Sequence, residues 1–202
     1  MIYPAVKRCF DVIVALAVLI LLSPVWFAAA LLVRLTSPGP VLFVQQRGGL
    51  HGKPFNFYKF RTMRDDHWHD PGEIVPLSHD AITPVGRWLR RTKLDELPQL
   101  MNVIKGDVSL VGPRPTILEQ IAEYDDVQRR RLDVRPGCTG LAQVNGNAAM
   151  PWAERIKYDV YYVEHMSLWL DLAILLKTLA VVALGETRFA RPFAESPYSQ
   201  QS

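Results

Sequence analysis

The stretch FDVIVALAVLILLSPVWFAAALLV, residues 10–33, carries a single charged residue, Asp11. A bilayer core takes roughly 20 apolar residues as a helix, so the run is long enough to engage one. It is too long for the apolar part of a secretory leader, and Pro24 divides it. Proline lacks the N–H that a helix needs and clashes with the preceding turn, so the helix kinks or breaks at Ser23-Pro24. Each half is about 10 residues, or about 15 Å of helix, half the thickness of the hydrocarbon core. Ser23 is placed to bond a carbonyl that Pro24 releases, easing the polar cost of a bend in lipid. Lys7 and Arg8 stand before the run and Arg34 after it, and basic flanks favour the cytoplasmic side. A helix-break-helix hairpin that re-enters the same face satisfies both flanks. A kinked spanning helix also fits the local sequence but leaves one basic end on the wrong side.

Outward from this run, 202 residues suit one domain with an anchor. Apolar residues at 49% and charged residues at 21% give material for a core and no sign of disorder. A net charge of +3 is compatible with an anionic partner and equally with plain solubility. Cys9 and Cys138 form no disulfide framework and read as free thiols. The five histidines lack zinc-site spacing, although His67 and His69 in HWHD are the pair nearest to a metal motif.

The expected fold class is α+β and mainly helical. It has the re-entrant hairpin over 1–36, a catalytic domain over 37–185 with interfacial amphipathic helices and a small β-hairpin, and a mobile tail over 186–202. Ser37–Pro40 marks a turn. Val41–Gln45 and Pro54–Thr62 read as strands, and Arg64–Pro84 as a polar surface loop. Helical patterning recurs at Val85–Arg91 and at Leu97–Ile104, which Gly106 ends, and again over Ile117–Gln128. VGPRP (Val111–Pro115) reads as an extended turn and RPGCTGLAQVNG (Arg135–Gly146) as a glycine-rich loop. Trp152–His165 is amphipathic. Leu168–Leu184 is apolar but interrupted by Asp171, Lys177 and Thr178, which points to a helix lying in the interface, with a buried core helix as the alternative.

Chemistry concentrates in RRTKLDELPQLMNVIKGD (Arg90–Asp107). Pro98 suits a helix start, so Asp95 and Glu96 stand at or just before a helix N-terminus. That end attracts phosphate and keeps carboxylates ionised. One carboxylate can attack phosphorus while its neighbour holds a hard cation; capping of the helix is the plainer reading. In VGPRP the prolines hold Arg114 in a restricted backbone, which suits bidentate phosphate binding as well as a simple rigid turn. In YKFRTM (Tyr58–Met63), Lys59 and Arg61 share one face of a strand. There is no P-loop, no GxGxxG and no HExxH. The densest basic run, Arg129-Arg130-Arg131, reads as a solvated helix face, so no nucleic-acid partner is expected. A catalytically silent scaffold would have lost the dyad or Arg114, and both are present.

KRCFDVIVALAVLILLSP, YKFRTM, LDELPQLMNVIKGDVSLVGPRP and RPGCTGLAQVNG, in this order, resemble the bacterial sugar transferases known as small monotopic phosphoglycosyl transferases. The resemblance runs from Lys7 to about Leu184. It implies transfer of a phosphosugar from a UDP-sugar to undecaprenyl phosphate with release of UMP, on the cytoplasmic face of the bacterial plasma membrane, with Mg²⁺ as cofactor and membrane lipid as a partner. It places the nucleophile at Asp95 and the metal carboxylate at Glu96. It makes Arg114 a phosphate ligand and points to Arg61 and Arg90 beside it; Lys59, on the strand face shared with Arg61, is a further candidate phosphate ligand. It assigns Ser23-Pro24 to the break of a re-entrant hairpin. Many relatives follow QVNG with Arg where this chain has Asn147, which puts donor choice in doubt. The chain resembles the minimal form of the family. The sequence leaves open the donor sugar, the glycan pathway and the oligomeric state, a dimer included.

Overall fold

In the computed structural model, which describes residues 2–64 and 75–201, the N-terminal run forms two helices bent by 65°. α1 spans Ile2–Leu21 and α2 spans Ser23–Thr36, with Pro24 in the first turn of α2 where its missing N–H is no loss. In a continuous helix that N–H would have served the Ile20 carbonyl. The Ser23 hydroxyl donates to it instead, at 2.8 Å, as the sequence leads one to expect. No single helix among the described residues is long and apolar enough to cross a membrane.

The polar residues of α1 dock it onto the rest of the chain. Arg8 donates to the carbonyls of Val103 (2.5 Å) and Ile104 (2.9 Å). Buried Asp11 accepts from the Ser109 hydroxyl (2.7 Å) and the Leu110 N–H (3.2 Å). Lys7, Tyr3 and Tyr162 all donate to buried Asp171, at 2.5, 2.7 and 2.7 Å. Lys7 and Arg8, read from sequence only as flanking charges, thus also act as tertiary anchors. The outward faces stay apolar, with Ile13, Ile20, Leu21, Phe27, Leu31 and Leu35 all exposed.

β1 (Leu42–Gly48) pairs antiparallel with β2 (Pro54–Phe60), from Leu42 opposite Phe60 to Gly48 opposite Pro54. α3 (Pro84–Thr92) starts at Thr83, whose hydroxyl accepts from the Gly86 N–H at 2.9 Å. A Cβ on Gly86 would stand 2.1 Å from the Thr62 carbonyl oxygen, so only glycine lets α3 lie against the end of β2. α4 (Gln99–Lys105) ends at Gly106, φ 94°, as expected. Fully buried Asn102 bonds the Asn56 carbonyl (2.7 Å) and the Tyr58 N–H (3.2 Å), fixing α4 to β2.

A second, parallel pair joins β3 (Ser109–Val111) to β4 (Gly137–Thr139). Part of the segment read as glycine-rich loop is therefore strand. The glycines serve close backbone approach: a Cβ on Gly137 would meet the Gly112 nitrogen at 2.1 Å. The expected helix over 117–128 is two short ones, α5 (Leu118–Ala122) and α6 (Asp126–Arg129). Tyr124 turns into the core between them, and the Asp125 carboxylate caps α6 by accepting from the Gln128 N–H at 2.7 Å.

α7 (Trp152–His165) and α8 (Leu168–Leu184) complete the domain. The main core gathers Val103, Val108, Leu141, Tyr158, Tyr162 and Ile174. α8 buries only Asp171 and Ile174, while Trp169, Leu176 and Leu179 are 69–80% exposed, so it is not a core helix. The stretch after Gly185, expected as a mobile tail, instead packs on α7. Phe193 and Tyr198 lie 5.1 Å, ring to ring, from Tyr158 and Tyr161 respectively. The Tyr158 hydroxyl donates to the Arg191 carbonyl at 2.9 Å. Its aromatic residues have apolar area to bury, which the polar composition of the segment concealed. Both cysteines are free thiols.

Candidate active site

Asp95 and Glu96 lie on one 3₁₀ turn, Leu94–Glu96, between α3 and α4. The chain reverses into it through Lys93, whose φ of 58° is left-handed. Pro98 occupies the cap position of α4 and no side chain caps it, so the capping role that the sequence allowed for the dyad is not realised. The two carboxylates have opposite surroundings. Glu96 Oε1 accepts from Lys59 Nζ at 2.6 Å and from Arg114 Nη2 at 2.9 Å. Burial alone would raise the Glu96 carboxyl, but Arg114 and Lys59 hold it well below the usual range. Asp95 is 7% exposed, and its Oδ1 is buried without a hydrogen-bond partner. Burial and the Glu96 charge push the Asp95 carboxyl up to about 6, against the pull of Lys59, Arg90 and Lys93. The sequence led one to expect carboxylates kept ionised by a helix end; burial, which outweighs the nearby cations, instead raises Asp95.

One cleft of about 650 Å³ brings together every site residue expected from sequence apart from the helix break: Lys59, Arg61, Arg90, Asp95, Glu96 and Arg114. Their duties differ. Lys59 and Arg114 act on the dyad. Arg61, 4% exposed, donates to the Ser37 and Pro38 carbonyls and to the Ser37 hydroxyl, tying the end of α2 to the end of β2. Arg90 donates to the Thr62 hydroxyl (2.9 Å) and the Val75 carbonyl (3.2 Å).

Several cleft residues escaped the sequence reading, among them Arg47, Arg131, Arg155, Asp159 and Glu186. Arg131 corrects an expectation outright: it is 4% exposed, not on a solvated face. It pairs with Asp159 at 2.6 Å, donates to the Tyr124 hydroxyl at 2.7 Å and reaches the Arg114 carbonyl at 3.1 Å. Its guanidinium also lies 4.9 Å from the Trp152 ring centre. Arg130 behaves as read, pairing on the surface with Glu164. The arginine run was the available signal, but Asp159, 28 residues on, becomes a partner only through folding.

Among the described residues no group of three His, Cys, Asp or Glu side chains stands together as a metal cage. His67 and His69 lie outside the described residues. A Mg²⁺ site needs no such cage, because the ion keeps waters and takes phosphate oxygens beside one or two carboxylates. Adjacent Asp95 and Glu96, with Asp95 Oδ1 unpartnered, fit a site shared with a substrate phosphate.

A carboxylate pair in a cationic cleft is the arrangement of an enzyme acting on phosphorylated substrates. The bacterial sugar transferase profile matches residues 2–185, and the chain belongs to that family. It is 45% identical over 180 residues to the uncharacterized sugar transferase EpsL of Bacillus subtilis (strain 168), covering 89% of this chain and 88% of EpsL. It is 43% identical to the UDP-glucose:undecaprenyl-phosphate glucose-1-phosphate transferase of Caulobacter vibrioides, covering 86% of this chain and 68% of that enzyme. It is 40% identical to the UDP-N-acetylgalactosamine-undecaprenyl-phosphate N-acetylgalactosaminephosphotransferase of Aeromonas hydrophila, over 91% of this chain and 45% of that protein. The chain thus spans less than half of some relatives that it matches.

Proposed function

We propose that this chain is a phosphoglycosyl transferase that moves a sugar-1-phosphate from a UDP-sugar to undecaprenyl phosphate, releasing UMP and starting a lipid-linked glycan. The observation that carries the reading is the asymmetry of the dyad: one carboxylate clamped by two cations, its neighbour buried with an unpartnered oxygen. A nucleophile needs a free lone pair, and Asp95 has one where Glu96 is engaged, which supports Asp95 as the attacking group. Asp95 attacks the phosphorus bonded to the sugar, and the bond from that phosphorus to the UMP oxygen breaks. UMP leaves with that electron pair. A phosphate oxygen of undecaprenyl phosphate then attacks the same phosphorus and returns the Asp95 carboxylate. Sequential visits keep two anionic substrates from facing each other in one site. Lys59 and Arg114 supply positive charge for the negative charge on the transferred phosphoryl oxygens. Glu96, with Asp95, would hold Mg²⁺, which neutralises phosphate oxygens when bound.

The same reading has the bent α1–α2 pair enter and leave the cytoplasmic leaflet on one side, with the exposed apolar face of α8 lying in the interface. Its support is the sealed break at Ser23-Pro24, the tertiary use of Lys7 and Arg8, and the exposed Trp169, Leu176 and Leu179. Cysteines introduced at exposed Ala5 and Thr36, in a Cys9→Ser background, should both react with a reagent confined to the cytoplasmic side. Labelling from opposite sides would defeat the hairpin.

The reaction is tested by incubating the protein in membranes with undecaprenyl phosphate and a panel of UDP-sugars and following UMP. At least one donor should give acceptor-dependent UMP release that EDTA stops and Mg²⁺ restores. Arg114→Lys keeps the charge but loses the planar fork that suits a phosphate while Nη2 holds Glu96. Its turnover should fall well beyond tenfold, or ~2 kcal/mol and more. Near-parental turnover would reduce Arg114 to a turn residue.

A further inference from the structure

The cleft carries many cations around the dyad, and among the described residues one acidic side chain in it is neither part of the dyad nor locked in a buried ion pair. That residue is Glu186, just beyond the end of α8. Asp159, a further acid of the cleft, is consumed by Arg131. Both contacts of the Glu186 carboxylate fall on one oxygen. Oε2 accepts from Asn147 Nδ2 at 3.0 Å and lies 3.9 Å from Lys93 Nζ. Oε1 has no hydrogen bond or ion pair among the described residues, and the side chain is 27% exposed. Asn147 is itself held at φ 43°, a left-handed backbone that asparagine tolerates, directly after Gly146 at φ 125°. Its amide bonds Glu186 Oε2 and leaves Oε1 as the carboxylate oxygen without a partner among the described residues.

A carboxylate repels phosphate, so Glu186 marks a part of the cleft where the phosphates of a ligand do not sit. What it recognises well is a neutral hydroxyl donor. We infer that Glu186, oriented by Asn147, is a hydroxyl-binding subsite that accepts at Oε1 from a hydroxyl of the donor. A UDP-sugar carries hydroxyls on its sugar ring and on its ribose, and the chemistry at Glu186 is the same for both. The inference rests on the proposed use of a UDP-sugar and adds the residue that reads the uncharged part of it.

The alternative is that Glu186 is only a negative counterweight to Arg114 and Arg155. The two roles predict opposite signs. Removing a counterweight strengthens the binding of every anionic ligand. Removing a hydroxyl acceptor weakens only ligands that carry the hydroxyls. The test uses the full chain in lipid nanodiscs with Mg²⁺, in an Asp95→Asn background that keeps a donor intact. Binding of UDP-sugars, UMP and inorganic pyrophosphate is measured calorimetrically with and without Glu186→Gln. Weaker binding of UDP-sugars by about tenfold, with UMP and pyrophosphate unchanged or tighter, assigns the subsite to the sugar ring. Equal weakening of UMP and UDP-sugars, with pyrophosphate unchanged or tighter, assigns it to the ribose. Asn147→Ala should give a smaller loss in the same ligands. Unchanged or tighter binding of all three ligands, or a loss that extends to pyrophosphate or comes with a lowered unfolding temperature, overturns the subsite. Failure of the transfer reaction itself is read separately, from acceptor-dependent UMP release by the parent chain.

Discussion

Asp95→Asn should abolish UMP release, by ~10⁴-fold or more, and should also abolish the covalent adduct. The parent chain, given a UDP-sugar without lipid acceptor, should release about one UMP per protein and gain the mass of one phosphosugar on the peptide containing Asp95. With both substrates present its kinetics should be ping-pong. Intersecting kinetics together with no trapped adduct would remove the covalent step while leaving the transferase reading in place. The same substitution should stabilise the fold. The Asp95 carboxyl is raised by burial and by Glu96 from its ordinary 3.8 to about 6. Between those values the folded chain binds more protons than the unfolded chain, so stability falls as pH rises through the window. The cost is fully present above about 6 and absent below 3.8. In EDTA, the unfolding midpoint of Asp95→Asn should therefore exceed that of the parent at pH 7.5, and the gap should close as the pH falls towards 4. A gap that is absent at pH 7.5, or that widens on acidification, would contradict the burial of this carboxylate.

Removing Arg131 should be the most damaging change away from the dyad. Arg131 and Asp159 are each about 3% exposed at their side chains, so Arg131→Met leaves a buried carboxylate without its cation. Breaking such a pair from one side costs about 3–5 kcal/mol. The double variant Arg131→Met with Asp159→Leu removes both charges and should recover most of that loss, since an apolar pair of similar volume can replace a buried ion pair. Turnover should not recover with it. Arg131 also donates to the Arg114 carbonyl, and its Tyr124 partner shares a 2.6 Å hydrogen bond with Thr116. The loop that presents Arg114 to Glu96 loses this support in both variants. Denaturant unfolding and UMP release, measured side by side, separate the two effects. A double variant with full turnover would show that Arg131 serves stability alone.

Several features of the site were legible in the chain because they are local. The Ser23-Pro24 break needs only a missing N–H and a nearby hydroxyl, and both act within one helical turn. The stop of α4 at Gly106 depends on one backbone conformation. Asp95 and Glu96 are adjacent, so their shared placement followed from sequence, and the order of the motifs was enough to carry the family. The strand over Gly137–Thr139 was hidden because its pairing is with Ser109–Val111, far away in the chain, and because Gly137 serves backbone approach and not turning.

What the sequence by itself determined is the inventory: a divided apolar run, two neighbouring carboxylates, and candidate phosphate-binding cations at Lys59 and Arg114. Tertiary structure alone decided which carboxylate is free. Lys59 comes from β2 and Arg114 from the loop after β3, and both converge on one oxygen of Glu96 while leaving Asp95 Oδ1 unpartnered. It also decided that Arg131 turns inward and that Glu186 meets Asn147. The physical reason is that charge–charge and desolvation energies depend on distance and burial in space, and spacing along the chain fixes neither for residues on different elements.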